Sequence, residues 1–206
     1  MNEILKYFPD LTERQQAQMA ALYDLYADWN QKINVISRKD IEHLYEHHVL
    51  HSLAIARFVK WKEGTKVLDF GTGGGFPGIP LAILYPDCQF HLIDGTGKKI
   101  RVVNEVVQVI GLKNVKASHL RGEDEKGKYD FVVSRAVMPL PSLVRIVSKN
   151  ISKTQRNAIA NGVICLKGGD VGEETQPFGR VVETADISEW FDEEWFNEKH
   201  IIYLPL

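Results

Sequence analysis

The fold class of this chain is indicated most clearly by one stretch, Val67-Leu68-Asp69-Phe70-Gly71-Thr72-Gly73-Gly74-Gly75-Phe76-Pro77-Gly78. Its apolar start predicts a strand, its glycines predict a loop, and its proline suits the first turn of a following helix. Glycines adopt positive φ and let a backbone approach a ligand closely, and a helix N-terminus presents free N–H groups. The stretch therefore predicts a ligand-binding loop between a strand and a helix; the alternative is a tight turn without a ligand.

The spacing of this loop differs from that of a dinucleotide site. The pattern is Gly-x-Gly-x-Gly, and Phe76 stands where a dinucleotide site has its third glycine. A large ring leaves less room for a pyrophosphate, and it can instead cover an adenosine or a sulfonium group. Asp94 ends the next predicted strand, 19 residues beyond Gly75, where a carboxylate can accept both ribose hydroxyls. The alternative for Asp94 is a cap of the helix that follows.

Strands and helices alternate through the rest of the chain. Strands are predicted at 66–70, 89–94, 115–118, 131–134, 162–167, 179–186 and 201–204. Helices are predicted at 76–84, 98–110 and 140–152. Strands separated by helices form a parallel sheet with right-handed crossovers, and the last two strands lie close enough for an antiparallel finish. The expected fold is α/β and Rossmann-like, with a mostly parallel seven-stranded sheet.

The first sixty residues are predicted to be helical. Thr12-Glu13-Arg14-Gln15 has the form of a capping box, and apolar residues recur at helical spacing from there to Ile33. A second helix is predicted from Asp40 to about Lys60, and Gly64 ends the region. We therefore expect a helical extension over 1–62 and a Rossmann-like domain over 63–206, packed as one compact unit.

Composition excludes several classes of protein. Of 206 residues, 44% are hydrophobic and 25% charged, which is the balance of a globular protein with a full core. No apolar run approaches the ~18 residues of a membrane span, and the N-terminus has no secretory pattern. Two cysteines, Cys88 and Cys165, are too few for a disulfide framework or a zinc site. We expect a cytoplasmic protein without a membrane partner.

Charge is unevenly distributed although the formal net charge is only −2. No acidic residue occurs over 131–169, where six basic residues give +6, and over 173–200 nine acidic and two basic residues give −7. A basic face of this kind can bind a polyanion, and the alternative is a solvated surface. A continuous helix would align four of its residues on one face, and a break near Asn150 would spoil that alignment: Arg145, Lys149, Lys153 and Arg156.

Two further strand ends point to the same edge of the predicted sheet. Arg121-Gly122-Glu123-Asp124 follows the third strand and is placed to border an adenine, while Ser134-Arg135-Ala136 ends the fourth. Arg135 is a candidate orienting residue, with an ordinary salt bridge as the alternative. The fourth strand lacks the Asn/Asp-Pro-Pro-Tyr pattern that positions an exocyclic amine, and it lacks a Pro-Cys nucleophile. Three histidines share one helical face, but no cysteine and carboxylate complete a metal site, so no metal is expected: His43, His47 and His51.

Together, the glycine loop, Asp94 and these strand ends resemble a class I S-adenosylmethionine methyltransferase. The resemblance to one family is closer and runs from about residue 11 to 167. Four segments, two of which contain the loop and Asp94, resemble the RsmG (GidB) family of bacterial small-subunit ribosomal RNA guanine-N7 methyltransferases. They are Trp29-Asn30…Asn34-Val35-Ile36-Ser37, His48-Val49-Leu50-His51-Ser52, Asp69–Pro80 and Asp94-Gly95-Thr96-Gly97-Lys98-Lys99. The chain departs from the family pattern at His51, where the family has Asp, and at Gly95-Thr96, where it has Ser-Leu.

The resemblance implies transfer of a methyl group from S-adenosyl-L-methionine to guanine N7 in 16S ribosomal RNA, without a required general base. The implied cofactor contacts include Gly73, the central glycine of the loop. The full set is Gly71, Gly73, Phe76, Asp94, Gly122, Glu123 and Arg135. Candidate RNA contacts are Arg38, His48, Arg145, Lys149, Lys153 and Lys167. The implied partner is small-subunit ribosomal RNA or a ribosomal particle, and we expect a monomer.

Three other functions are weighed against this one. A small-molecule methyltransferase is disfavoured by the acid-free basic stretch and by the lack of an apolar lid insertion. A non-catalytic RNA-binding or assembly factor is disfavoured by the intact glycine loop and Asp94. A nicotinamide-dependent dehydrogenase is the least favoured, because Phe76 replaces the third glycine.

Overall fold

The computed structural model describes residues 1–33, 35–37 and 40–206. The α-helices are Asn2–Tyr7 (α1), Glu13–Lys32 (α2), His51–Phe58 (α3), Gly78–Leu84 (α4), Gly97–Val109 (α5), Leu140–Val147 (α6) and Gly172–Thr175 (α7). The strands are Lys66–Phe70 (β1), Gln89–Asp94 (β2), Val115–His119 (β3), Phe131–Arg135 (β4), Gly162–Gly168 (β5), Glu183–Asp186 (β6) and Lys199–Pro205 (β7). Short 3₁₀ turns and one π-helical segment, Leu44–Leu50, complete the chain.

The seven strands form one sheet in the order β3-β2-β1-β4-β5-β7-β6. The first five strands pair in parallel, and β7 pairs antiparallel with both β5 and β6. This confirms the expected mostly parallel sheet and its antiparallel finish. The strand order reverses between β1 and β4, so a crevice opens beyond their carboxyl ends, where α/β sheets bind ligands.

The N-terminal helices pack onto the sheet and share its hydrophobic core. One buried cluster contains Leu22 and Tyr26 of α2, Leu53 of α3, and Val67 and Phe131 of the central strands. The predicted capping box is present, because Thr12 N–H donates to Gln15 Oε1 (2.9 Å) and Gln15 N–H donates to Thr12 Oγ1 (3.3 Å). The helical extension therefore forms one wall of the molecule's main core.

The helix predicted from Asp40 to Lys60 is divided into three types of turn. A 3₁₀ turn, Ile41–His43, is followed by the π-helical segment Leu44–Leu50 and then by α3. In the π-helical segment the His47 carbonyl accepts a hydrogen bond from Arg135, a strand residue (3.1 Å). Wide turns of this kind occur frequently at functional sites.

The helix predicted over 140–152 is shorter than expected. Helix α6 ends at Val147, and a 3₁₀ turn over Ser148–Asn150 follows. The buried Asn150 amide donates to the carbonyls of Glu125 and Gly127 (3.0 and 2.9 Å), which turns the chain away from the helix axis. The helix therefore breaks near Asn150, and the alignment of the basic residues on one continuous helical face is lost.

Two other boundaries differ. The sixth strand begins at Glu183 instead of residue 179, because Gln176–Val181 forms a 3₁₀ turn in which Gly179 has φ 57°. The fourth helix begins at Gly78, two residues later than predicted, since the glycine loop continues through Pro77. Among the described residues, no helix is both long and apolar enough to cross a membrane.

Candidate active site

The glycine loop after β1 is held open by backbone geometry and by a buried carboxylate. Gly71, Gly73 and Gly75 have φ of 69°, 58° and 101°, which disfavours residues with a Cβ. Asp69 Oδ2 accepts hydrogen bonds from Thr72 Oγ1 (2.6 Å) and Gly78 N–H (2.8 Å), so it joins both ends of the loop. Burial raises the pKa of Asp69 to about 7.

Asp94 lies at the carboxyl end of β2 beside this loop. Its Oδ2 accepts a hydrogen bond from Gly73 N–H (2.9 Å) and its Oδ1 accepts one from Thr96 N–H (2.8 Å). The bond to Thr96 is of the kind expected from a helix cap, while the bond to Gly73 ties Asp94 to the loop. Each oxygen keeps a further lone pair, so the carboxylate can still accept ligand hydroxyls.

Two adjoining cavities meet at this point. A cavity of about 380 Å³ lies between the ends of β1, β2 and β3 and is lined by Phe70, Gly71, Ile93, Asp94, Gly95, Thr96, Leu120, Arg121, Gly122, Glu123, Val137 and Met138. A second, of about 310 Å³, is lined by Val35, Ile36, His48, Gly71, Thr72, Gly73, Gly74, Phe76, Asp94, Lys99, Arg135, Ala136 and Val137. All seven predicted cofactor residues line one or both cavities, so the structure brings them together.

Close packing shapes the first cavity at Gly122. A Cβ at Gly122 would overlap the ring of Phe70, which forms the floor. Glu123 is exposed at the rim, where its carboxylate is free to meet a polar ligand edge. Between the two cavities, the turn after β4 passes through Ala136 with φ 51°, an unusual conformation for a residue with a Cβ. Val137 then lies over Gly71.

Arg135 ends β4 inside the second cavity, but it does not form the ion pair considered as its alternative role. Within the described residues, no carboxylate lies within ion-pair distance of its guanidinium. It donates to the His47 carbonyl (3.1 Å) and to His48 Nδ1 (2.9 Å), and it lies over the Phe76 ring at 5.3 Å from the centroid. Burial lowers the pKa of Arg135 to about 10, so it stays protonated at neutral pH.

Helix α2 supports the loop from the other side. The buried Tyr26 hydroxyl donates to the Gly74 carbonyl, and its ring lies 5.0 Å from that of Phe76. Burial raises the pKa of Tyr26, so the hydroxyl remains a donor. The helical spacing of apolar residues up to Ile33 places Tyr26 on a buried face and assigns it no role in the site. The signal for that role is that a buried tyrosine hydroxyl needs a hydrogen-bond partner.

The candidate RNA residues are in different situations. Arg38 lies outside the described residues, and His48 is bonded within the protein, to Arg135 and Asp40. Lys167 pairs with Glu174 (2.7 Å), and the Lys149 ammonium donates to the Glu123 carbonyl. Arg156 Nε lies 3.7 Å from Asp130 Oδ2. The exposed basic side chains between residues 131 and 169 are Arg145, Lys149, Lys153 and Arg156.

The three histidines of the N-terminal region do not converge. The rings of His43 and His47 stack at 4.6 Å, and His47 stacks on Trp195 at 4.3 Å. His51 instead meets Trp195 edge-on, and its buried Nε2 has no hydrogen-bond partner. Ligand atoms of His43, Glu46 and His47 lie within 4.8 Å of one another, and His47 Nδ1 also contacts Asp40 Oδ1 at 2.5 Å.

The chain is similar in sequence to known proteins over almost its whole length. The family described as GidB, rRNA small subunit methyltransferase G, matches residues 15–188. A protein of Bacteroides thetaiotaomicron named Ribosomal RNA small subunit methyltransferase G is 63% identical over 203 residues, covering 98% of both chains. A Flavobacterium psychrophilum protein of the same name is 54% identical and covers 100% of this chain and 98% of its own.

Solved structures agree with the fold. A SAM-dependent methyltransferase from Aquifex aeolicus superposes with a TM-score of 0.58, at 18% identity, over 83% of this chain and 100% of that one. A precorrin-6y C5,15-methyltransferase from Geobacter metallireducens superposes with a TM-score of 0.55, at 12% identity, over 84% and 91%. At such identities the likeness shows the class I methyltransferase fold alone. The full-length sequence matches and the family match together show more: the chain belongs to the GidB family, the rRNA small subunit methyltransferases G.

Proposed function

We propose that this protein transfers a methyl group from S-adenosyl-L-methionine to N7 of a guanine in 16S ribosomal RNA. The observation that carries the proposal is the 63% identity, over almost the whole of both chains, to a protein named for small-subunit ribosomal RNA methylation. The paired cavities at the strand switch point support it, because they offer separate spaces for a nucleoside and for an amino-acid group.

The residues present fit the cofactor. Asp94 is an acceptor for ribose hydroxyls, and the first cavity offers an adenine both apolar contacts, from Phe70, Ile93 and Leu120, and polar groups at its rim. Gly73 and Gly95 have open space where a Cβ would stand, so the backbone can approach a ligand there. Arg135 is a half-buried cation without a carboxylate partner among the described residues, and it suits the carboxylate of an amino-acid group.

The chemistry needs positioning more than proton transfer. When bound, S-adenosylmethionine supplies a methyl group activated by a sulfonium. Guanine N7 has a free lone pair and no proton, so the protein needs no general base there. Its residues instead hold the two reactants in line, and alignment of this kind accounts for up to ~7–11 kcal/mol of a barrier. Phe76, which is buried beside Arg135, excludes water from the reacting groups.

The proposed partner is the RNA itself or a ribosomal particle. The exposed cations Arg145 and Lys153 lie on the acid-free stretch after β4, whose carboxyl end forms the second cavity. We propose that this surface contacts RNA phosphates while the target guanine enters beside Arg135. A monomer in the cytoplasm is the simplest form consistent with this task.

The experiment combines purified protein with isotopically labelled S-adenosylmethionine and small-subunit RNA, naked or in ribosomal particles. Nuclease digestion followed by mass spectrometry identifies the labelled nucleoside. The expected product is N7-methylguanosine from small-subunit RNA and none from large-subunit RNA. Label in another nucleoside would overturn the guanine-N7 assignment, and label only in small molecules would overturn the RNA substrate.

A further inference from the structure

His48 connects the cofactor pocket to the N-terminal region through both of its ring nitrogens. Its Nδ1 lies 2.9 Å from an amino nitrogen of Arg135, and its Nε2 lies 2.6 Å from Asp40 Oδ2. The other oxygen of Asp40 contacts His47 Nδ1 at 2.5 Å. Side chains from β4, from the π-helical segment and from the turn before it thus form one chain of contacts.

These partners determine the tautomer of His48. A guanidinium has only donors, so Nδ1 must accept from Arg135. The ring proton then resides on Nε2, where the Asp40 carboxylate accepts it. Burial, with the charge of Arg135 nearby, lowers the pKa of His48 to about 4 despite Asp40, so the ring is neutral at physiological pH. A neutral ring with a fixed tautomer offers Arg135 one acceptor in one place.

The same contacts leave the charge of Arg135 available. Its acceptors are a backbone carbonyl and a neutral ring, whereas a directly bonded carboxylate would compete with a ligand for the guanidinium. The face of the guanidinium is covered by Phe76, so its remaining N–H groups are restricted in direction. Arg135 is therefore oriented without being neutralised.

We propose that His48 is a positioning residue, which holds Arg135 in the orientation that binds the carboxylate of the cofactor's amino-acid group, with Asp40 fixing the His48 tautomer. The inference rests on the proposed function and adds a role for a residue that sequence reasoning placed among the RNA contacts. It also explains why the segment before α3 adopts its wide turns: the His47 carbonyl and the His48 ring are presented to one guanidinium.

The test compares two amides that differ in where they place an acceptor. The Oδ1 of His48→Asn occupies the place of Nδ1 and can accept from Arg135, whereas the amide of His48→Gln reaches the place of Nε2 and serves only Asp40. His48→Leu serves neither partner. Two probes are titrated by calorimetry: S-adenosylhomocysteine, which carries the amino-acid group, and 5′-methylthioadenosine, which lacks it.

We expect His48→Asn to bind S-adenosylhomocysteine within about 3-fold of the wild type, and His48→Gln and His48→Leu to bind it about 10-fold more weakly, the loss typical of a charge-assisted contact. Binding of 5′-methylthioadenosine should be unchanged in all three. Melting temperatures identify any variant that fails to fold. If His48→Leu fails to fold, the comparison of His48→Asn with His48→Gln is still a complete test.

Several outcomes would overturn the proposal. Equal affinity of all variants for S-adenosylhomocysteine would show that Arg135 needs no support, and equal weakening of both probes would show a structural role. Unchanged cofactor binding with a raised KM for RNA would make His48 an RNA contact. A wild-type protein that binds neither probe would contradict the proposed function as well.

Discussion

At the scale of single residues, the site depends on two carboxylates with different tasks. Asp94 stands at the open crevice and bonds only to backbone amides, so its free lone pairs face the cavity. Asp69 is fully buried one strand away and bonds to both ends of the glycine loop. The first is suited to binding a ligand and the second to holding the loop.

Replacing Asp94 with alanine should weaken cofactor binding without unfolding the protein. The lost charge-assisted hydrogen bonds to ribose correspond to roughly 1.5–3 kcal/mol, or about 10–150-fold in the dissociation constant. Calorimetric titration of S-adenosylmethionine and S-adenosylhomocysteine measures this change, and wild-type affinities in the micromolar range are expected for both. An unchanged constant would make Asp94 a helix cap only, and preference for NAD would contradict a methyltransferase site.

Replacing Asp69 with asparagine should change how stability depends on pH. Burial raises the pKa of Asp69 from its ordinary value of 3.8 to about 7, so the folded state binds more protons between these values. Its contribution to stability is therefore fully present below pH ~4 and is lost as the pH rises to about 7. Relative to the wild type, Asp69→Asn should gain stability as the pH rises through this window, measured by denaturant unfolding.

The control for this experiment is the exposed Asp124→Asn, which removes the same charge outside the loop. Its difference from the wild type should stay constant over the window. If the stability difference between Asp69→Asn and the wild type were also constant, the Asp69 carboxyl group would be ionised over the whole window from pH ~4 to ~7 in the folded protein. That result would contradict a raised pKa.

At the scale of elements, the sheet could be predicted from sequence because its signals are local. Each strand is a short apolar run bounded by glycine, proline or polar residues, and the glycine loop marks the first crossover. For α6 the sequence predicts a helix to residue 152 with a break near Asn150 as the alternative. It cannot decide between them, because the break depends on hydrogen bonds from Asn150 to a loop some 25 residues earlier. The Arg135–His48 contact joins residues 87 positions apart, so no local sequence pattern predicts it.

Helix α2 stabilises the glycine loop through a single hydroxyl. Tyr26→Phe leaves the buried Gly74 carbonyl without its donor, which should lower the free energy of unfolding by about 1–3 kcal/mol. For a chain of this size the melting temperature should fall by roughly 2–4 °C per kcal/mol. Tyr23→Phe, one turn earlier and partly exposed, is the matched control and should change it little. Equal melting temperatures for both variants would remove α2 from the support of the loop.

The basic surface formed by Arg145 at the end of α6 and by Lys149 and Lys153 after it is predicted to contact RNA, although these residues do not share one helical face. Each neutralised phosphate steepens the salt dependence of binding by about 0.7–0.9 in log–log slope. Changing Lys149 and Lys153 together to Gln should weaken RNA binding and flatten the slope by roughly 1–2. Changing Lys113 and Lys116 to Gln, at the amino end of β3, is the matched control. Equal slopes for the two double variants would place the RNA surface elsewhere.

At the scale of the whole molecule, the N-terminal and C-terminal segments enclose the site together. From the N-terminal region, His48 lines the second cavity and Tyr26 bonds to the glycine loop at Gly74, and Trp195 stacks on His47 from the segment before β7. One hydrophobic core includes residues from both segments and from the central strands. The extension is therefore part of the pocket, which explains why its Trp-Asn and His motifs carry much of the family resemblance.

Whether the protein methylates small-subunit ribosomal RNA is tested most directly by mass spectrometry of that RNA from a strain lacking the gene. We expect one N7-methylguanosine of the small-subunit RNA to disappear in this strain. It should return when the wild-type protein is expressed and stay absent with the Asp94→Ala protein at equal abundance. An unchanged N7-methylguanosine content in the deletion strain would show that the protein does not carry out this methylation.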